Sequence, residues 1–135
     1  MCKILLVEDD RDIRESMASL LNFAGHWVGE TDNGRQALDW LSQHREDPPC
    51  LAIVDMMMPV MDGWELIGTL RSDPNWRGLY IIVFSAVRSI TDVAGAVPAN
   101  AFWTKPARIE LFEGIRVHCP YHARVSASNS DRLGN

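Results

Sequence analysis

Three acidic residues, one serine and one lysine stand at places in this chain where they could do chemistry together. Glu8 and Asp9 close one short apolar run, Asp55 closes a second, Ser85 a third and Lys105 a fourth. Carboxylates drawn close together repel one another, and each resists ionisation unless a cation is present. A hard divalent ion resolves that conflict. Mg²⁺ accepts a few carboxylate oxygens, keeps waters, and leaves a position for a phosphoryl oxygen. Lys105 adds a positive charge opposite the acids, and the Ser85 hydroxyl can donate to a phosphoryl oxygen. A nucleophilic carboxylate, a metal site and two phosphate-binding groups are the parts needed for phosphoryl transfer to an aspartate.

Whether these residues meet depends on the elements that carry them. Residues 4–7 form an uninterrupted Ile, Leu and Val run, as suits a strand buried on both faces. Ile13, Met17, Leu20, Leu21 and Ala24 then recur at helical spacing, and Gly25 makes a helix stop. A second strand is expected over 27–31. Asp32-Asn33-Gly34 reads as a turn and N-cap before a helix with Ala37, Leu38 and Leu41 on one face, broken at Asp47-Pro48-Pro49. The third strand covers 51–54 and stops at Asp55. After a loop marked by Pro59 and Asp62-Gly63, a helix is expected over 64–71, then strands over 80–84 and 101–104. Gly95 and Pro98 weaken a short helix over 91–97, and a last helix is expected over 108–117.

Strand and helix alternate five times, the signature of an α/β domain with a doubly wound parallel sheet. In open α/β sheets, ligands bind beyond the carboxyl ends of the strands, where the strand order reverses. With the order 2-1-3-4-5, the first and third strands are neighbours, and Glu8, Asp9 and Asp55 converge in one crevice. Residues 1–117 fill one domain, and 118–135, Ser- and Asn-rich towards the end, reads as a loose tail.

The bulk properties narrow the partners. The chain has 135 residues and a net charge of −5, which argues against direct nucleic-acid binding, since that needs basic surface to displace counterions. No apolar run is long enough to insert in a membrane, and the N-terminus meets acid too early for a signal peptide. Cys2, Cys50 and Cys119 are few, odd in number and far apart, which reads as free thiols in a reducing compartment, hence a cytoplasmic protein.

Four segments carry a family resemblance. Residues 4–10 (Ile-Leu-Leu-Val-Glu-Asp-Asp), 54–63 (Val-Asp-Met-Met-Met-Pro-Val-Met-Asp-Gly), 84–86 (Phe-Ser-Ala) and 104–106 (Thr-Lys-Pro) resemble, in order, the signatures of response-regulator receiver domains of two-component signalling. The likeness runs from residue 3 to about 117. It implies a flavodoxin-like five-stranded sheet and a phosphorylation-activated switch with Asp55 as phosphoacceptor. It implies that Asp9 ligates Mg²⁺ directly, Glu8 through a water, and the Met57 backbone carbonyl as a further protein ligand. It assigns Lys105 to the phosphoryl group, Ser85 to the switch hydroxyl and Phe102 to the switch aromatic. The bond before Pro106 is usually cis in such proteins. The donor would be a histidine kinase or a histidine phosphotransfer protein. The receiver would be a monomer or weak dimer acting on an unknown downstream protein, with no catalysis beyond its own phosphorylation and dephosphorylation.

Plainer readings stand beside these. The acids at 8–10 could serve the dipole of the following helix, and Asp10 is best read as its cap. Ser85 could cap the next helix, and Phe102 could be simple core. Met56, Met57, Met58 and Met61 offer soft thioethers, and His118, Cys119 and His122 offer zinc donors, but packing and poor tetrahedral spacing argue against both metals. Rival functions are a receiver-like protein-binding module that is not phosphorylated, and a receiver that is a fragment of a hybrid kinase or transcription regulator. With no output domain following, a stand-alone regulator is the expectation. A phosphatase of the haloacid-dehalogenase type would want an Asp two residues after the nucleophile, where Met57 stands.

Overall fold

A computed structural model of the chain describes residues 2–86, 97–105 and 115. The order of elements is β1 (Lys3–Val7), α1 (Arg11–Phe23), β2 (Trp27–Thr31), α2 (Gly34–Gln43), β3 (Leu51–Val54), α3 (Gly63–Ser72), β4 (Tyr80–Ser85) and β5 (Ala101–Thr104). All four strand pairings are parallel and the sheet runs β2-β1-β3-β4-β5. This is the doubly wound parallel sheet that the alternation of elements anticipates, in the flavodoxin-like form that the resemblance implies.

The apolar runs become strands because both faces of the central sheet are covered. Alternate side chains split into two cores. Leu5, Val7, Ala52, Val54, Ile81 and Val83 pack with Ala37 and Leu41 of α2 and with Leu66, Ile67 and Leu70 of α3. Ile4, Leu6, Ile53, Ile82 and Phe84 pack with Met17, Ala18 and Leu21 of α1 and with Ile115. Each fully buried Leu or Ile contributes about 1.5–3 kcal/mol of transfer free energy, so β1, β3 and β4 form the rigid floor from which the site projects.

Several details differ from the sequence reading: β1 begins one residue earlier, at Lys3, and α3 spans Gly63–Ser72, one residue longer at each end. Helix α2 ends at Gln43, with His44 as its C-cap, four residues before the Asp-Pro-Pro break. Strand β4 includes Ser85, one residue further than expected. Cys2 is disulfide-bonded, whereas Cys50 is free. The reading of all three cysteines as free thiols therefore does not hold for Cys2. The helices expected over 91–97 and 108–117 lie, apart from Val97 and Ile115, outside the described residues, as do Pro106, the residues from 118 to 122 considered for zinc, and the rest of the tail to 135. Among the described residues no helix is long and apolar enough to cross a membrane.

Candidate functional site

The sheet ladder runs one step past the strand ends, and that step builds the site. Asp55 donates its N–H to the Val7 carbonyl at 2.9 Å, Glu8 to the Thr31 carbonyl at 3.0 Å, and Lys105 to the Ser85 carbonyl at 2.8 Å. The backbones of Glu8 and Asp55 are thus fixed on neighbouring strands at the carboxyl edge of the sheet, and Lys105 is fixed on the same edge beyond Ser85 of β4. Asp10 turns the chain into α1, its Oδ1 accepting the Ile13 N–H at 3.1 Å, which is the capping role expected of it. The Arg14 guanidinium donates to the Glu8 carbonyl at 3.0 Å and pins the same turn from α1. Nothing in the sequence marked Arg14 for this.

Glu8, Asp9 and Asp55 each bring a carboxylate oxygen within 4.8 Å of the others. Glu8 and Asp55 are only 1% and 4% exposed, while Asp9 is exposed. Lys105 closes the opposite side. Its Nζ donates to Glu8 Oε1 at 3.1 Å, lies 2.9 Å from Glu8 Oε2 and 3.5 Å from Asp55 Oδ2. The lysine therefore leans on Glu8 more than on Asp55, a preference the sequence did not signal. The Oε2 contact is close but misaligned for a hydrogen bond, so this buried oxygen keeps an unused acceptor site.

The electrostatics follow from burial. Desolvation pushes the Glu8 carboxyl up to about 7, with the neighbouring Asp55 charge adding to the rise and Lys105 opposing it. Desolvation also raises Asp55, against the pull of Lys105 and of the Met57 N–H, which donates to Asp55 Oδ1 at 3.4 Å. Burial disfavours the Lys105 charge, yet its bonds to Glu8 and Asp55 outweigh that and hold it above the ordinary lysine value. One ion pair thus raises both partners because their settings differ: Glu8 is sealed from water, whereas the Lys105 side chain is one fifth exposed (21%).

These residues fit a hard divalent cation. Three oxygen donors converge, two of them buried and costly to ionise unaided, and Glu8 Oε2 has capacity for a metal-bound water. Mg²⁺ would be held by Asp9 and Asp55, with Glu8 acting through that water.

The remaining candidates are placed unevenly. Ser85 is buried at the end of β4, beside Lys105 in the ladder. Phe102 is partly buried against the α2/α3 core, and its neighbour Trp103 faces the other core. Met56 and Met58 are buried and Met61 packs against the core. The Met57 side chain is 67% exposed.

Gly63 has a role that only the structure reveals. It donates its N–H to the Met56 carbonyl at 3.1 Å, and a Cβ there would lie 2.6 Å from the Asp55 carbonyl oxygen and 2.7 Å from Met56 Cα. Both are backbone atoms of the strand end that presents Asp55. Gly63→Ala is expected to cost about 3 kcal/mol, the upper part of the range for overpacking, because rigid backbone has to move. Urea unfolding checks this, and a near-wild-type midpoint would show that α3 is not pressed against the strand end.

Comparison with known proteins agrees with this geometry. The family model described as the response regulator receiver domain matches residues 4–115. The response regulator MprA of Mycolicibacterium vanbaalenii is 36% identical over 110 residues, covering 80% of this chain and 46% of the relative. The chain thus spans about half the length of the curated relatives it matches. Among solved structures, the signal receiver domain of a signal transduction histidine kinase from Syntrophus aciditrophicus superposes with a TM-score of 0.78 at 28% identity, covering 88% of this chain and 90% of that one. The chemotaxis response regulator CheY4 of Vibrio cholerae gives 0.76 at 28% identity, with coverages of 86% and 97%.

Proposed function

The chain belongs to the response regulator receiver family, and from that premise we propose that it is a signalling switch phosphorylated on Asp55 in the presence of Mg²⁺. The observation that carries this reading is the cluster of Glu8, Asp9 and Asp55 facing Lys105 at the carboxyl edge of the sheet. When bound, Mg²⁺ supplies positive charge against the phosphoryl oxygens. The Met57 backbone carbonyl would be a further protein ligand to it.

The protein's own groups do the rest. An Asp55 carboxylate oxygen attacks phosphorus in line, and the bond from phosphorus to the donor's histidine nitrogen or acyl oxygen breaks, the leaving group keeping its electron pair. Lys105, already between Glu8 and Asp55, neutralises the transferred phosphoryl group. Ser85 donates its hydroxyl to a phosphoryl oxygen, and Phe102 turns into the space that Ser85 vacates. The equilibrium shifts only by the difference in phosphate interaction energy between the two states. Catalysis stops at the protein's own phosphorylation and dephosphorylation. The donor is a histidine kinase or a phosphotransfer protein, the target is a downstream protein, and both encounters take place in the cytoplasm, with the receiver a monomer or weak dimer.

Incubation with acetyl phosphate and Mg²⁺, followed by intact mass, tests this. The expected result is a gain of one phosphoryl group, absent in Asp55→Asn and in EDTA. No gain with acetyl phosphate or with any phosphohistidine donor would favour the binding-module reading.

A further inference from the structure

The loop between β3 and α3 begins at Asp55 and carries Met57, whose carbonyl is the metal ligand of the reading above, and it is held in a strained form. Val60 sits at φ 68°, in the left-handed region that β-branched residues avoid. Such a conformation persists only where surrounding structure imposes it. Within the loop, Met61 donates its N–H to the Pro59 carbonyl at 2.8 Å. From outside, Gly34 donates its N–H to the Met61 carbonyl at 2.9 Å.

Gly34 is the first residue of α2, where backbone N–H groups have no partner inside the helix. Its lack of a side chain makes the contact possible. A Cβ would lie 2.6 Å from Met61 Cγ, and 2.9 Å from both Met61 Sδ and the Met61 carbonyl oxygen. The platform behind it is stiff. Gln36 Oε1 accepts the Asp32 N–H at 3.0 Å, Asn33 Oδ1 accepts the Gln36 N–H at 2.9 Å, and the Asn33 amide donates to Asp32 Oδ1 at 2.8 Å. The junction of β2 and α2 therefore forms a fixed anchor, and Met61 is the point at which the loop is tied to it.

We propose that Gly34 is a positioning residue for the phosphorylation site: through Met61 it holds the β3–α3 loop in the form that presents the Met57 carbonyl, and so sets the affinity for Mg²⁺. This rests on the Mg²⁺-dependent reading above. Gly34 touches neither ion nor phosphoryl group; it acts only through the loop.

The test uses the full chain and MgCl₂. Calorimetric titration is expected to show Mg²⁺ affinity about tenfold weaker in Gly34→Ala, the scale of an outer-shell support. The rate of phosphorylation at saturating Mg²⁺ stays at the wild-type value. Gly34→Ala combined with Met61→Ala, which removes Cγ and Sδ from the clash but leaves the Met61 carbonyl oxygen at 2.9 Å, recovers part of the lost affinity. Wild-type affinity in Gly34→Ala, even with a lower melting point in EDTA, overturns the proposal, as does a double variant that recovers nothing. A measurement on the wild type keeps the test independent of whether the variants fold. By reciprocity, Mg²⁺ should slow Gly34 amide exchange relative to the Ala37 amide, which donates within α2 to Asn33. An unchanged ratio overturns the proposal. A wild-type chain that binds no Mg²⁺ at all overturns the functional reading itself.

Discussion

Replacing Lys105 with alanine is expected to slow phosphorylation of Asp55 by about 100-fold or more while leaving Mg²⁺ binding in place. The Lys105 ammonium lies 2.9 Å from Glu8 and 3.5 Å from Asp55. Without it, the transferred phosphoryl group loses a fixed positive charge. The acids remain, and no ammonium competes for their oxygens, so Mg²⁺ should bind at least as tightly as in the wild type. Stability moves the other way. In EDTA, two buried carboxylates lose their cation, and removing one member of a buried pair costs about 3 kcal/mol or more. Phosphorylation kinetics from intact mass, calorimetric Mg²⁺ titration and urea unfolding separate these effects. A rate within a few-fold of wild type would remove Lys105 from the phosphoryl site. Lost Mg²⁺ binding would instead make it a builder of the metal site.

Metal-free protein should become less stable as pH rises from about 4.5 to 7, and Glu8 should be the main cause. Glu8 titrates at 4.5 in a solvent-exposed setting and near 7 in the fold. Between those values the folded chain binds more protons than the unfolded chain, so stability falls with rising pH. The shift of 2.5 units, from 4.5 to about 7, corresponds to about 3 kcal/mol lost across the window. The raised Asp55 acts with the same sign. Lys105, raised above its ordinary 10.5, contributes stability that is lost only at more alkaline pH. Mg²⁺ binds the ionised acids, so a saturating concentration should flatten the profile, and its affinity should grow through the same window. The informative quantity is the difference between wild type and Glu8→Gln, whose carboxamide cannot ionise. Urea midpoints in EDTA at pH 5, 6, 7 and 8 measure it. A Glu8→Gln profile parallel to wild type would remove Glu8 as the source.

Much of the fold was legible because buried parallel strands are written as uninterrupted apolar runs. β2, β3 and β5 have the expected bounds, and β1 and β4 differ by one residue each. The site was legible because every polar residue that breaks such a run stands at the carboxyl end of a strand, and the ladder carries Glu8, Asp55 and Lys105 one step beyond it. What escaped was set by contacts between segments distant in sequence. Gly63 reads as part of a turn, but its value lies in the Asp55 and Met56 backbone pressed against it. Arg14 carried no signal in the sequence, yet it holds the Glu8 carbonyl. The preference of Lys105 for Glu8 depends on ångström differences that no residue type encodes. The Cys2 disulfide escaped for the same reason.

Among the described residues β5 pairs with β4 on one side only, and none of its four residues is fully buried, whereas every residue of β3 is. Lys105 follows directly on that strand, and Phe102 lies within it. The acids stand at the ends of β1 and β3, strands hydrogen-bonded on both sides. Cooperative units at a sheet edge open at lower free energy than the centre. The site therefore joins two mechanical parts of unequal stiffness: a chemical anvil that yields only with global unfolding, and a lighter arm, carrying both the lysine and the aromatic, that can be displaced while the anvil stays whole.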